Sequence, residues 1–310
     1  MAAPLSAASL LAALRAEGCK VQEYRSWRTH RRPTSTGAFG PINGVMIHHT
    51  VTSGTDSSVA LCYNGHSDLP GPLCHGVIAK DGTIYLVSAG RANHAGPGDD
   101  DVLRMVQNES YNRDSLLAPN EANTDGNARF YGFECINLGN GKDPWPAAQR
   151  DAIVRASAAI LRAYGGPAKG WTAKSVIGHK EWQPGKIDPR TGTGGVDVSP
   201  PVLRKLIDER LAHPASWTPG ATTAPSKPAT SPTAPKEDDM PSAKEIAAAV
   251  MEYQIDDPRT TGTKYVQLKD VLWWAGADAA QANAKVRDLE AQLAAVHAKL
   301  DRLLAANTQG

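Results

Sequence analysis

Nine histidines occur in this 310-residue chain, and three of them stand where an imidazole could bind a metal ion. His48 and His49 fall inside GVMIHHTVT, a β-branched and apolar segment in which a buried imidazole needs a partner. His179 follows a short apolar run in the segment GHKEWQPGKIDPR. Because side chains alternate across a strand, only one of His48 and His49 can face a given site, and periodicity alone does not choose between them.

A carboxylate completes a potential ligand set. Asp188 follows His179 by nine residues, across a Pro-Gly bend. Two imidazoles and one carboxylate leave the fourth position of a tetrahedral zinc ion open, which is the composition of a catalytic site and not of a structural one. Zinc in such a site activates water and polarises a carbonyl group. Other divalent ions accept the same donors, so the residue types favour Zn²⁺ without fixing the metal.

Hydrolysis at such a site also needs a proton shuttle and a group that stabilises a developing oxyanion. Glu134 is a carboxylate in the otherwise apolar run FYGFECINL, and burial there would raise its pKa toward the range of a general base. The alternative is a strand glutamate that faces solvent. Lys186 lies two residues before Asp188, and it is either a cation that stabilises the transition state or a solvated loop lysine.

The elements that must position these residues include both strands and helices. Asp81-Gly82 separates two apolar β-branched runs, 77–79 and 83–87, which is a strong hairpin pattern. Further strands are predicted over 44–52, 130–138 and 176–177, and helices within 1–20 and over 146–164 and 202–211. Because helices and strands interleave and one strand pair is a hairpin, we predict an α/β fold with a mixed central β-sheet flanked by helices.

The composition predicts three regions. Residues 1–213 form the large domain, residues 214–241 are a Pro/Ala/Thr-rich linker, and residues 242–310 form a small helical, partly coiled-coil region. Leucine and valine keep a heptad spacing over residues 286–303, which favours self-association. The alternative is a helix that folds back on the segment with Trp273-Trp274, two residues that are also candidates for binding carbohydrate.

Charge and cysteine content narrow the functional classes. The net charge is +1, so no strong field favours nucleic acid, and no apolar run is long enough to insert in a membrane. The N-terminus lacks the basic segment of a signal peptide. None of the four cysteines forms a C-x-x-C pair. Cys62 and Cys74 bracket a Gly/Pro-rich loop and are either a disulfide or two buried thiols.

Five segments carry a family resemblance: MIHHTVT, CHGVIAKDGTIYLV, ANHAG, YGFECINLG and GHKEWQPGKIDPR. In this order they resemble the type 2 N-acetylmuramoyl-L-alanine amidases, a family that includes phage endolysins, bacterial cell-wall amidases and the peptidoglycan recognition proteins. The resemblance covers roughly residues 23–211. It implies hydrolysis of the amide between N-acetylmuramic acid and L-alanine, with Zn²⁺ as cofactor and peptidoglycan as partner.

The resemblance also implies a role for individual positions. His48 is preferred over His49 as the first zinc ligand, and the second and third ligands are His179 and Asp188. Glu134 is expected to be the catalytic base. The remaining implied positions are Lys186 at the transition state and His94 and His49 against the substrate.

One position departs from part of the family. Some phage members carry a catalytic tyrosine directly before the histidine that leads into the hairpin, and those members generally lack the glutamate. This chain has Cys74 before His75 and retains Glu134. We therefore assign the base role to Glu134 and none to Cys74.

The sequence is also compatible with two non-catalytic functions. Many peptidoglycan recognition proteins bind the wall without cutting it, but such members commonly replace the third ligand, which is retained here as Asp188. A scaffold anchored by its coiled coil is the other alternative.

A chain without an export signal and with a modular C-terminal region is typical of phage endolysins, so we expect it in the host cytoplasm before release and then at the cell wall.

Overall fold

In a computed structural model of the chain, the structure describes residues 2–218 together with the backbone of residues 254–256 and 265–267. The first compact unit spans Met1–Thr222 and contains all of the predicted site residues. The predicted domain limits, the linker 214–241 and the heptads 286–303 lie largely or wholly outside the described residues and stay predictions. The same holds for Trp273-Trp274.

A six-stranded mixed sheet forms the centre of this unit, in the order β1-β4-β3-β5-β2-β6. The only antiparallel pair within this sheet is β3 with β4, which is the hairpin predicted around Asp81-Gly82; the other four pairs are parallel. The strands are β1 (Val21–Glu23), β2 (Gly44–His49), β3 (Gly76–Ile78), β4 (Ile84–Leu86), β5 (Phe130–Cys135) and β6 (Val176–Gly178). The predicted fold class is confirmed.

Five α-helices accompany the sheet. They are α1 (Ala7–Ala16), α2 (Thr55–Asn64), α3 (Asp100–Asn108), α4 (Ala147–Ala163) and α5 (Pro200–Leu211). The predicted helices correspond to α1, α4 and α5, whereas the sequence did not predict α2 and α3. Short pairs of strands join Gly65–His66 to Leu69–Pro70 and Pro97–Gly98 to Thr124–Asp125. Single turns of 3₁₀-helix include Gly126–Ala128 and His179–Glu181.

The two faces of the sheet have different partners. Helices α1, α4 and α5 cover one face, where Val45 and Ile47 of β2 are buried among their apolar side chains. On the opposite face Met46 packs with residues of α3, and Val77 of β3 packs with residues of α2. Alternation along β2 therefore directs His48 to the face of Met46 and away from α4.

A buried ion cluster joins the end of α1 to α4 and α5. Glu17 is 1% exposed and accepts a hydrogen bond from Arg210 Nε at 2.6 Å and one from Arg162 Nε at 3.0 Å. Arg210 is equally buried and also donates to the carbonyls of Ala215 and Trp217. Each buried charge therefore has a partner, which is the condition for tolerating charges inside a protein.

The structure also shows whether Cys62 and Cys74 form a disulfide. Cys62 and Cys74 are buried free thiols, and burial together with a hydrogen bond to Cys62 raises the pKa of Cys74 well above its usual range. Of the two possibilities, the structure therefore contains the pair of thiols and not the disulfide.

Among the described residues, no helix has both the length and the apolar character that crossing a membrane requires. Within residues 242–310, the described backbone is a short antiparallel pair, Gln254–Asp256 with Tyr265–Gln267, and the helical character predicted for this region stays a prediction.

Candidate active site

Three side chains of the predicted ligand set converge where β2 and β6 end. His48 Nδ1 lies 3.0 Å from His179 Nδ1, and each of these nitrogens lies 3.1 Å from Asp188 Oδ2. All three side chains are largely buried, with 1%, 5% and 8% of their residue surfaces exposed. His48 lies 131 residues from His179 and 140 residues from Asp188 in the sequence. The parallel pairing of β2 with β6 brings His48 close to His179.

The far nitrogen of each ligand ring has a defined partner. His179 Nε2 lies 3.2 Å from the carbonyl oxygen of Ala95, and His48 Nε2 lies 3.0 Å from His94 Nδ1. His94 Nε2 in turn lies 3.0 Å from the carbonyl oxygen of Phe130. A carbonyl can only accept, so the Nε2 atoms of His179 and His94 carry hydrogens.

These contacts determine which nitrogens are free. Burial lowers the pKa of His94 well below its usual value, so its ring is neutral and its Nδ1 accepts the hydrogen bond from His48 Nε2. Burial also lowers the pKa of His48, to about 4, which leaves its Nδ1 without a hydrogen. When both rings are neutral, with their hydrogens on Nε2, the Nδ1 atoms of His48 and His179 are free to bind a metal ion beside Asp188.

This arrangement fits a bound divalent cation. Burial acts to raise the pKa of Asp188, but positive charge at His179 and His48 outweighs it and holds that pKa well below its usual range, so the carboxylate is ionised. Two bare imidazole nitrogens and one carboxylate oxygen, all in mutual contact, repel one another unless a cation lies between them. An N,N,O donor set with a free fourth position suits zinc, and the ligand atoms of these three residues lie close enough together to hold a metal ion.

Glu134 lies on the same face of the sheet as His48. The two residues are paired in register between the parallel strands β5 and β2, which places their side chains next to each other on one face. Glu134 Oε2 is buried and has no hydrogen-bond partner. Burial, with smaller contributions from Cys62 and Asp188, raises the pKa of Glu134 well above its usual value. The alternative of a solvent-facing strand glutamate therefore does not hold.

The structure places the other three predicted residues at different depths. Lys186 is exposed, and its charge acts to lower the pKa of Glu134. His94 is 9% exposed and its ring contacts lie within the protein. His49 is 6% exposed, and its Nδ1 accepts a hydrogen bond from the backbone of Arg190 at 3.2 Å. Substrate contact by His94 and His49 stays a prediction, as does the catalytic role of Lys186.

A comparison with protein families is decisive for the classification. Residues 38–191 match the family model described as N-acetylmuramoyl-L-alanine amidase. Through this region the chain belongs to the N-acetylmuramoyl-L-alanine amidase family. The matched region begins before β2 and ends three residues after Asp188, so it includes every residue of the candidate site in the amidase domain.

Other comparisons add little to the family assignment. No curated protein matches the chain in sequence. Among solved structures, the amidase domain is similar to the endolysin N-acetylmuramoyl-L-alanine amidase LysCS from Clostridium intestinale, at 19% identity. That match covers 57% of this chain and 89% of the other, with a TM-score of 0.35, which is too low to carry an argument about fold or function.

An ion pair that the sequence analysis did not single out supports the turn that carries His179. Glu181 and Arg204 are fully buried, with oxygen to nitrogen distances of 2.8 and 3.0 Å. Glu181 also accepts from the backbone of Gly178, directly before His179, at 3.0 Å. Arg204 donates further bonds to three carbonyl groups. A charged helix residue such as Arg204 reads as solvent-exposed in sequence, and only the fold reveals its partner.

We expect Arg204→Ala to destabilise the amidase domain by about 3–5 kcal/mol, because it leaves the Glu181 carboxylate buried without its cation. Urea unfolding of metal-free protein measures the change. Arg104→Ala is the matched control, since Arg104 pairs with Asp100 and Asp101 on the exposed side of α3 and such pairs contribute about 0–1 kcal/mol. Equal effects of the two substitutions would contradict the role given to the buried pair.

Proposed function

We propose that this protein is a zinc-dependent amidase that hydrolyses the bond between N-acetylmuramic acid and L-alanine in peptidoglycan. The observation that carries the proposal is the convergence of His48 Nδ1, His179 Nδ1 and Asp188 Oδ2 within 3.0–3.1 Å of one another. It occurs in a chain of the amidase family. Zinc held by these three residues supplies Lewis acidity toward water and toward the carbonyl oxygen of the scissile amide.

Glu134 is proposed as the general base and then the general acid. Its Oε2 has no other partner, and its raised pKa suits a group that takes a proton and returns it near neutral pH. In the first step the carboxylate removes a proton from the attacking water while the new carbon–oxygen bond forms. In the second step the same proton passes to the departing nitrogen of L-alanine as the carbon–nitrogen bond breaks.

Lys186 is proposed to stabilise the negative charge that develops on the carbonyl oxygen. Its ammonium group is exposed, so a substrate can reach it without a rearrangement of the protein. Its charge also reaches the site, since it acts on the pKa of both His48 and Glu134. A cation in this position acts most strongly once substrate has displaced water from around it.

We expect Lys186→Met to lower kcat by about 100-fold, the usual effect of removing one group that stabilises an oxyanion. The dissociation constant for zinc should change little, because Lys186 is not part of the ligand set. Lys186→Arg, which keeps the charge, should retain more activity than Lys186→Met. Lys205→Met, on the exposed side of α5, is the control. Wild-type kcat in Lys186→Met would remove Lys186 from the mechanism.

The biological role proposed here is that of a phage endolysin, present in the host cytoplasm before release and acting at the cell wall. It is supported by the sequence features of the modular C-terminal region and by the family. A non-catalytic wall-binding module is the competing proposal. The two differ in whether purified peptidoglycan is cut and in whether the cut frees the amino group of L-alanine.

A further inference from the structure

One side-chain oxygen organises the loop directly behind the ligand set. Asn127 Oδ1 accepts hydrogen bonds from three consecutive backbone N–H groups, those of His94 at 2.8 Å, Ala95 at 2.9 Å and Gly96 at 3.2 Å. Three successive donors converge on a single acceptor only when the backbone curves around it, as in an anion-binding nest. The conformation of residues 94–96 therefore depends on the Asn127 carboxamide.

This loop supplies the partner of both ligand imidazoles. The His94 ring accepts from His48 Nε2 at 3.0 Å, and the carbonyl of the next residue, Ala95, accepts from His179 Nε2 at 3.2 Å. Both hydrogen bonds fix which ring nitrogen carries the hydrogen and which is free for a metal. Two adjacent residues on one loop therefore set the orientation of two ligands that come from distant parts of the sequence.

The His94 ring packs tightly against strand β5. The ring lies against Gly132 of β5, where an added Cβ would come within 2.4 Å of His94 Nδ1. Its Nε2 donates to the carbonyl of Phe130 at 3.0 Å. A small displacement of the loop would consequently break the bond to Phe130 or the bond to His48, because the strand leaves the ring no alternative position.

Asn127 is itself held in place from the opposite side. It lies in the 3₁₀ turn Gly126–Ala128, and its backbone N–H donates to Asp125 Oδ1 at 3.0 Å. The other oxygen of Asp125 accepts from Arg91 at 2.6 Å. The turn is also joined to the loop by a hydrogen bond from Gly126 N–H to the carbonyl of Gly96 at 2.9 Å. Asn127 therefore acts from a fixed support.

We propose that Asn127 is a positioning residue of the metal centre, which fixes the tautomer of His94 and the orientation of His48 and His179 through the loop 94–96. The side-chain oxygen of Asn127 bonds to the backbone of residues 94–96 and not to a ligand atom. The proposal rests on the proposed zinc site for its effect on metal affinity. Its effect on the His94 ring is a property of the metal-free protein and is independent of that site.

The test compares Asn127→Ala with wild type in two measurements on the full chain. Competition with a chromophoric chelator gives the zinc dissociation constant, which we expect to rise by about 10–100-fold, the usual effect of losing an outer partner of a metal ligand. Long-range ¹H–¹⁵N spectra of the metal-free protein give the His94 tautomer. We expect hydrogen on Nε2 alone in wild type and a mixture of both tautomers in Asn127→Ala.

Two further variants separate positioning from general destabilisation. Asn127→Asp keeps an acceptor oxygen for all three N–H groups and should restore zinc affinity close to that of wild type. Asn123→Ala removes the neighbouring carboxamide, whose bonds go to Asp100 at the start of α3, and it should leave both zinc affinity and the His94 tautomer unchanged. If Asn127→Ala does not fold, Asn127→Ser replaces it, since one short hydroxyl cannot satisfy all three donors.

The outcomes are distinguishable. Wild-type zinc affinity and a single His94 tautomer in folded Asn127→Ala, or in Asn127→Ser if that variant is used, would overturn the proposal even if the melting temperature had fallen. Loss of affinity in Asn123→Ala equal to that in Asn127→Ala would also overturn it. If wild type itself bound no zinc, the proposed function would fail, and the tautomer of His94 would still decide the role of Asn127.

Discussion

Asp188→Ala is expected to abolish stoichiometric zinc binding and to lower the rate of peptidoglycan hydrolysis by at least about 1000-fold, because Lewis acid catalysis contributes several kcal/mol to the barrier. The carboxylate of Asp188 supplies the only negative charge among the three converging ligand atoms. Without it two neutral imidazoles remain, and two nitrogen ligands do not hold zinc as three ligands do. The loss of affinity should exceed the 10–100-fold expected for Asn127→Ala.

A matched control for this substitution lies in the same segment of the chain. Asp197 is a carboxylate with a structural role, because it accepts from Ser199 N–H at 2.7 Å and from Thr191 at 3.1 Å at the start of α5. Asp197→Ala should therefore reduce stability without changing zinc content. Zinc is measured by metal analysis after gel filtration. One equivalent of zinc retained by Asp188→Ala would show that the three residues are not the ligand set.

Glu134→Gln is expected to lower kcat by about 100- to 10,000-fold, the range for loss of a general acid–base group, while the zinc dissociation constant stays near that of wild type. Glutamine has almost the same shape as glutamic acid but cannot accept and return a proton. Glu134 is not among the residues whose ligand atoms converge, so the substitution should spare the metal. This split between zinc affinity and kcat identifies a proton shuttle.

The measurement is the initial rate of release of L-alanine amino groups from purified peptidoglycan, with zinc affinity measured on the same preparations. Glu209→Gln is the control, because Glu209 is exposed on α5 and lies outside the site. If Glu134→Gln bound zinc normally and kept the turnover of wild type, another group would have to be the base. If zinc affinity fell together with kcat, Glu134 would instead contribute to the metal site.

Much of the fold follows from local patterns in the sequence. The β3–β4 hairpin was predicted from Asp81-Gly82 between apolar runs, and α4 was predicted from its apolar stripe and the glycines that follow it. Helices α2 and α3 were missed for different reasons. Helix α2 carries only a scattered set of apolar residues, whereas α3 directly follows its N-cap residue Asp99, whose side chain accepts from two backbone N–H groups of the first turn. That capping pattern is readable in the sequence.

The site was predictable to a smaller extent. The residue types of the ligand set and the resemblance to a family named the residues, but periodicity could not choose between His48 and His49. The choice depends on which face of β2 packs against α1, α4 and α5. Only the folded sheet shows which face that is. Asn127 has no signature at all, because its role depends on three backbone N–H groups about thirty residues earlier in the chain.

The most direct test of the central claim is to digest purified peptidoglycan with wild-type protein of known zinc content and to identify the new end groups. We predict about one zinc per chain, as for a catalytic site with three protein ligands, and new amino termini that are L-alanine. A wild-type protein that carries no metal and binds the wall without releasing L-alanine termini would contradict the proposal. The roles of His48, His179, Asp188 and Glu134 would then fall together.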